Sequence, residues 1–186
     1  FPDGDGVFQR KRSMKNDTVF APAGAVGGAV CVIRISGPET CKVEEILSAK
    51  IVRRPGMLVH TEIGKGDAIA DDGMAVFFKA PRSYTGEDMA EIHCHGGGMT
   101  VKRVLESLSD LGFLPAPGGE FTKRAFLNGK MDLSAAEAVM DVIRAEADRG
   151  LTAALRQLKG SLKYSIEELE DLLLNSLSGI DAAIDY

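Results

Sequence analysis

The sequence has 186 residues, of which 45% are hydrophobic, 26% charged and 6% aromatic, with no tryptophan and a formal net charge of −5. That balance describes a globular chain long enough to bury its own core; it weighs against a globally basic nucleic-acid binder, and no apolar run nears the roughly 18 residues of a membrane span. Three cysteines, Cys31, Cys41 and Cys94, form no Cys-x-x-Cys pair, which argues against zinc sites and secreted disulfide frameworks and fits a reducing compartment.

Residues 1–13, FPDGDGVFQRKRS, are turn-rich and irregular and read as a leader outside the fold, whereas Met14 opens a segment that reads like a natural start. From Val19 to about Leu114 short strand-like runs alternate with two helical stretches. AVCVIRI (29–35) is β-branched and apolar on both alternating faces and predicts a buried strand. PETCKVEEILSA (38–49), with Pro38 at its start and Val43, Ile46 and Leu47 on one side, predicts a helix. MLVHTEI (57–63), MAVFFKA (74–80) and MAEIHCH (89–95) predict strands. MTVKRVLESLSDLG (99–112) predicts an amphipathic helix with Val101, Val104, Leu105 and Leu108 on one stripe and Gly112 at its end.

After Gly119 the strand pattern stops. EFTKRAFLNGK leads into a helix over SAAEAVMDVIRAEA, where Ser134 and Glu137 have the spacing of a capping box. The remainder reads as one long helix, with Gly150, Gly160 and Gly179 as possible interruptions. Its apolar residues (Leu151, Leu155, Leu158, Leu162, Ile166, Leu169, Leu173, Leu177, Ile180 and Ile184) recur with an 11-residue period. A helix of that kind needs a partner, from a second copy or from a longer chain. The whole is an α+β domain over 14–119 followed by an all-α segment over 120–186.

Three segments are candidates for chemistry. In the first, Gly24, Gly27 and Gly28 precede the strand at 29–35 instead of linking a strand to a helix, so they fit a turn and not a dinucleotide cradle. Arg34 shares a strand face with Val30 and Val32, and a partly buried guanidinium needs an anion. That anion is either an internal Asp or Glu, or the carboxylate or phosphate of a ligand. In the second segment, Glu91, His93 and His95 share one strand face opposite Ala90, Ile92 and Cys94. They are a weak metal set, lacking a third cluster. Glu91 alone either lies on a solvated face or accepts two parallel N–H donors from a planar heterocycle. In the third, Lys123, Arg124 and Lys130 form a locally basic stretch that Phe121 and Phe126 can anchor, and Asn128-Gly129 projects Lys130 outward. A solvated basic loop is the alternative.

Taken in order, GGAVCVIRISGPE, SYTGEDMAEIHCHGG and GEFTKRAFLNGKMDLSAAEAVMDVI resemble the N-terminal region of the MnmE (TrmE) family of tRNA modification GTPases, and the similarity runs from Asp17 to the end. The resemblance implies an N-terminal domain of the tetrahydrofolate-binding type, then the start of a helical domain. By position, Arg34, Glu91 and Lys130 match the family's residues for 5-formyltetrahydrofolate. It further implies a cytoplasmic homodimer that, with the flavoprotein MnmG, modifies C5 of the wobble uridine of tRNA. GTP, Mg and K belong to the family's G domain. No G-x-x-x-x-G-K-[ST] occurs in these 186 residues, so the chain is expected to be a fragment that binds folate and dimerises, with no catalytic residue of its own. The rival expectations are a stand-alone aminomethyltransferase-like enzyme and a dimerisation scaffold with a vestigial pocket.

Overall fold

A computed structural model describes residues 17–65 and 68–184; the leader read over 1–13 lies outside them. The chain is α+β, as the pattern predicts, and divides into two compact units, one running to Arg124 and the other beginning at Ala125.

In the first unit six strands form one sheet in the order β3-β4-β5-β2-β1-β6. They are β1 (Val19–Pro22), β2 (Val30–Ser36), β3 (Val59–Lys65), β4 (Ala68–Phe78), β5 (Met89–His95) and β6 (Leu114–Pro115). Only the β1–β6 pair among them is parallel. Helix α1 (Gly98–Asp110) buries Val101, Val104 and Leu108 against one sheet face, and Gly112 (φ +84°) takes the left-handed turn that ends it. That face supplies the core: Cys31, Ile33 and Ile35 from β2, Ala75 and Phe77 from β4, and Ala90, Ile92 and Cys94 from β5. Alternation sends Arg34, Glu91 and His93 to the other face.

Three expectations need correction. Strand β2 is not buried on both faces: Val30 is 62% exposed and Val32 and Arg34 are half-buried, because α1 covers only one side of this largely antiparallel sheet. The 38–49 helix is only a 3₁₀ turn over Thr40–Glu45. Its continuation is drawn to the sheet, where Leu47 pairs with Ile63, the Ser48 amide donates to the Glu62 carbonyl (3.1 Å), and the Ala49 amide donates to Thr61 Oγ1 (3.1 Å). Strand β4 starts six residues before 74 despite its Asp71-Asp72-Gly73 run. Gly73 is needed there because a side chain would strike the His93 carbonyl of β5.

The second unit is helical. Helix α2 (Glu120–Leu127) crosses into it and is followed by α3 (Leu133–Arg144), α4 (Asp148–Leu158) and α5 (Ser161–Ile184). Ala135 and Ala138 of α3 and Ala154 of α4 are buried, small residues where α3 and α4 pack together. Helix α3 is capped by Asp132, whose Oδ1 accepts from the Ala135 amide at 2.7 Å. The expected Ser134–Glu137 box does not form, and Ser134 Oγ is buried without a hydrogen bond. The helix expected over 134–147 ends at Arg144, and the long helix expected after it is interrupted at Gly160 (φ +77°), one of the three glycines offered, while Gly150 and Gly179 lie within helices. On α5 Ile166, Leu169, Leu173, Leu177 and Ile180 are each more than half exposed.

Candidate functional site

The site is built on two neighbouring strands. In the β2–β5 register Arg34 stands directly opposite Glu91, and Val32 opposite His93. Arg34 Nε donates to Glu91 Oε1 at 2.9 Å, and Nη2 reaches the same oxygen at 2.8 Å. The two side chains are 23% and 16% exposed, enough shielding for a charge-assisted bond to outweigh a surface pair. Both alternatives left open by the sequence meet in this contact: the anion facing Arg34 is internal, and it is the other candidate binding residue.

Aromatic rings complete the setting. The Arg34 guanidinium carbon lies 4.9 Å from the Tyr84 ring centre and 5.6 Å from that of Phe121, within cation–π range of both. Tyr84 is held in turn by a 2.9 Å hydrogen bond between its hydroxyl and Thr122 Oγ1. Glu91 Oε2 makes no hydrogen bond among the described residues. His93 Nε2 stands 3.7 Å from it, shielded from solvent and also without a partner. An acceptor oxygen and an imidazole nitrogen thus lie side by side with their hydrogen-bonding capacity unspent.

A buried polar network fixes the loop that carries Tyr84. Ser36 Oγ donates to Glu87 Oε2 (2.8 Å) and lies 2.7 Å from Thr85 Oγ1. Arg124, 5% exposed, donates from Nη1 to Glu87 Oε2 (2.9 Å) and to the carbonyls of Asp17 (2.9 Å) and Ser36 (3.3 Å), and from Nε to Glu120 Oε1 (3.0 Å). Arg124 therefore belongs to a buried framework and not to a solvated basic loop, and Phe126, 39% exposed, is no anchor. Lys130 is exposed in the turn after α2, where its amide donates to the Ala125 carbonyl at 2.9 Å. It belongs to the second unit, whereas Arg34 and Glu91 belong to the first.

The remaining member of the His/Glu face is used elsewhere. His95 Nδ1 lies 2.9 Å from Asp71 Oδ1, and its amide donates to Oδ2 at 2.6 Å. Partial burial is the largest single influence on Asp71 and raises its pKa, but the two His95 bonds, the Asp72 amide and the His95 charge together hold the carboxyl below its usual value. Among the described residues no group of three or more His, Cys, Asp or Glu is placed to hold a metal ion. On the opposite, core face Cys31 pairs with Cys94 in register, and burial pushes the Cys94 thiol up to about 11. The site has the equipment of recognition: a carboxylate, a guanidinium, two rings and an imidazole.

Sequence reasoning does not bring Tyr84 to the site and offers Phe121 only as an anchor for the basic stretch. The signal is a half-buried strand arginine, which calls for aromatic as well as acidic neighbours, but nothing in chain order says which segments supply them.

Comparison with known proteins assigns a class first. Residues 18–130 match the family described as GTP-binding protein TrmE N-terminus, and 133–186 match the MnmE helical domain. Among named relatives, the tRNA modification GTPase MnmE of Thermotoga petrophila is 44% identical over 172 residues, 91% of this chain and 38% of that protein. The MnmE of Akkermansia muciniphila is 46% identical over 175 residues, 91% of this chain and 39% of that one. The MnmE of Clostridioides difficile is 44% identical over 178 residues, with 92% and 39% covered. The chain belongs to the MnmE family of tRNA modification GTPases. It spans about two-fifths of the length of the relatives it matches, and no helix among the described residues is long and apolar enough to cross a membrane.

Proposed function

We propose that this chain carries the reduced-folate site of a tRNA-modifying GTPase. Glu91 reads the N–H edge of the pterin ring, and Arg34 and Lys130 meet the anionic and carbonyl portions of 5-formyltetrahydrofolate. The observation that carries this reading is the convergence of Arg34 and Glu91, 57 positions apart in sequence, beside a carboxylate oxygen and a shielded imidazole nitrogen that lie 3.7 Å apart and make no hydrogen bond among the described residues. The donor set suits the ligand: a planar ring with adjacent N–H groups needs a carboxylate acceptor and aromatic neighbours.

When bound, the folate would supply a one-carbon unit. What this chain's residues contribute is binding and orientation, since the thiols on the far face are buried and held protonated. In the complete protein we place this site in a cytoplasmic homodimer that acts with MnmG on C5 of the tRNA wobble uridine. GTP, Mg and K are bound by a G domain whose phosphate-loop motif these 186 residues do not contain.

Calorimetric titration with 5-formyltetrahydrofolate tests the reading. The expected result is a dissociation constant on the micromolar scale for the unaltered chain, with binding lost in Glu91→Ala. Absence of heat at high ligand concentration defeats the pocket and leaves a dimerisation scaffold. Turnover of methylene-folate by this chain defeats it in favour of a stand-alone aminomethyltransferase.

A further inference from the structure

The group that fills the Glu91 site in this structure is itself informative. A guanidinium is a planar carbon carrying three nitrogens, and here two of its N–H groups point at one carboxylate oxygen while Tyr84 and Phe121 lie within 4.9 and 5.6 Å of its carbon. The recognition edge of a pterin is built alike: a ring N–H and an exocyclic amino group on one carbon, which is an acylguanidine. Both groups ask the same things of a protein, namely a carboxylate acceptor and a π face.

We infer that Arg34 is an exchangeable placeholder for the ligand's ring: it occupies the seat made by Glu91, Tyr84 and Phe121 until the ring displaces it. This rests on the folate reading and adds to it two ring-binding residues and an order of events. The seat has a single carboxylate, Glu91 Oε1 already accepts from two Arg34 donors, and the Tyr84 and Phe121 rings lie beside that same guanidinium. A ring that takes this carboxylate edge and these aromatic faces takes the place Arg34 holds. Displacement frees the guanidinium, which is 23% exposed and so near solvent, to meet the anionic part of the same ligand. His93, 3.7 Å from Glu91 Oε2, gains a partner when a ring enters. A shielded nitrogen without a hydrogen bond is costly, and a ring donor relieves that cost.

The exchange gives tail-less and tail-bearing ligands opposite expectations. In Arg34→Met the seat is vacated in advance. A tail-less probe, 6-methyltetrahydropterin, should bind roughly tenfold more tightly than to the unaltered chain, since a charge-assisted bond no longer has to be broken. 5-Formyltetrahydrofolate should gain less or lose affinity, because its tail loses a cation. In Arg34→Ala, low-millimolar guanidinium chloride, far below denaturing concentrations, should raise the melting temperature and weaken 6-methyltetrahydropterin binding competitively. In the unaltered chain, the side-chain Nε–H NMR signal of Arg34 should be protected from solvent exchange and lose that protection when the pterin saturates the site. This last measurement requires no variant to fold. Equal or weaker 6-methyltetrahydropterin binding by Arg34→Met, an indifferent guanidinium titration, or an unchanged Nε–H signal each overturns the exchange. If neither ligand binds the unaltered chain or the variant, the folate reading itself has failed. If 5-formyltetrahydrofolate binds normally and only these signatures are absent, that reading stands and the placeholder alone is wrong.

Discussion

Replacing Arg124 by methionine probes the framework under the candidate site. Arg124 is 5% exposed, bonds Glu120 and Glu87 at 3.0 and 2.9 Å, and caps two main-chain carbonyls. Methionine keeps most of the side-chain volume and removes every donor. Breaking a buried ion pair by deleting one partner costs about 3–5 kcal/mol, chiefly because the surviving charge is left uncompensated. Two features bring this case toward the lower end. Glu87 keeps the Ser36 hydroxyl at 2.8 Å, and Lys123 Nζ lies 3.9 Å from Glu120. We expect a loss of about 3 kcal/mol, or roughly 6–12 °C in melting temperature for a chain of this size. Urea denaturation followed by amide exchange at β2 and β5 reports the first unit specifically. Glu87→Gln and Glu120→Gln, each destabilising alone, should recover part of the loss when added to Arg124→Met, a coupling of opposite sign to simple additivity. A loss under about 1 kcal/mol, or further destabilisation on neutralising the two acids, would refute the view that uncompensated charge dominates.

Two other outcomes are expected. Asp132→Ala should cost the second unit about 1 kcal/mol through loss of the α3 cap, whereas Ser134→Ala should be neutral or stabilising because its hydroxyl is buried unpaired; thermal melts of the two variants decide between this cap and a capping box. Iodoacetamide at mildly alkaline pH should label exposed Cys41 while Cys31 and Cys94 react only on unfolding, since burial raises both and holds Cys94 at about 11, leaving roughly a thousandth of it as thiolate near pH 8; peptide mass mapping reads the order.

What the sequence reveals and what it hides divide along physical lines. Strand β5 falls on MAEIHCH with the expected alternation, and the stripe of α1 packs on the core, because both patterns are set by one buried face. The segment 38–49 misleads because its apolar residues fit a helical stripe equally well; long-range pairing of Leu47 with Ile63 decides the matter. The first half of β4 was illegible because Asp71 and Asp72 disfavour strands until His95 and His60 are there to pair with them. At the site, the face shared by Glu91 and His93 was legible from period two. That Arg34 meets Glu91 follows only from the register of two strands separated by a long stretch of chain. Tyr84, on the loop before β5, and Phe121 and Arg124, on α2, reach their places by tertiary packing, for which local pattern carries no signal.

Because Arg34 and Glu91 face each other across one rung of the ladder, with Cys31 opposite Cys94 three rungs along, recognition and folding are tied to a single alignment. Shifting either strand by one residue would turn the guanidinium or the carboxylate inward among the isoleucines. Single-residue insertions or deletions within Val30–Ser36 or Met89–His95 should therefore be forbidden twice over, whereas length changes in the intervening hairpin leave this alignment intact. Drift in chain length among related proteins has only the connections in which to accumulate.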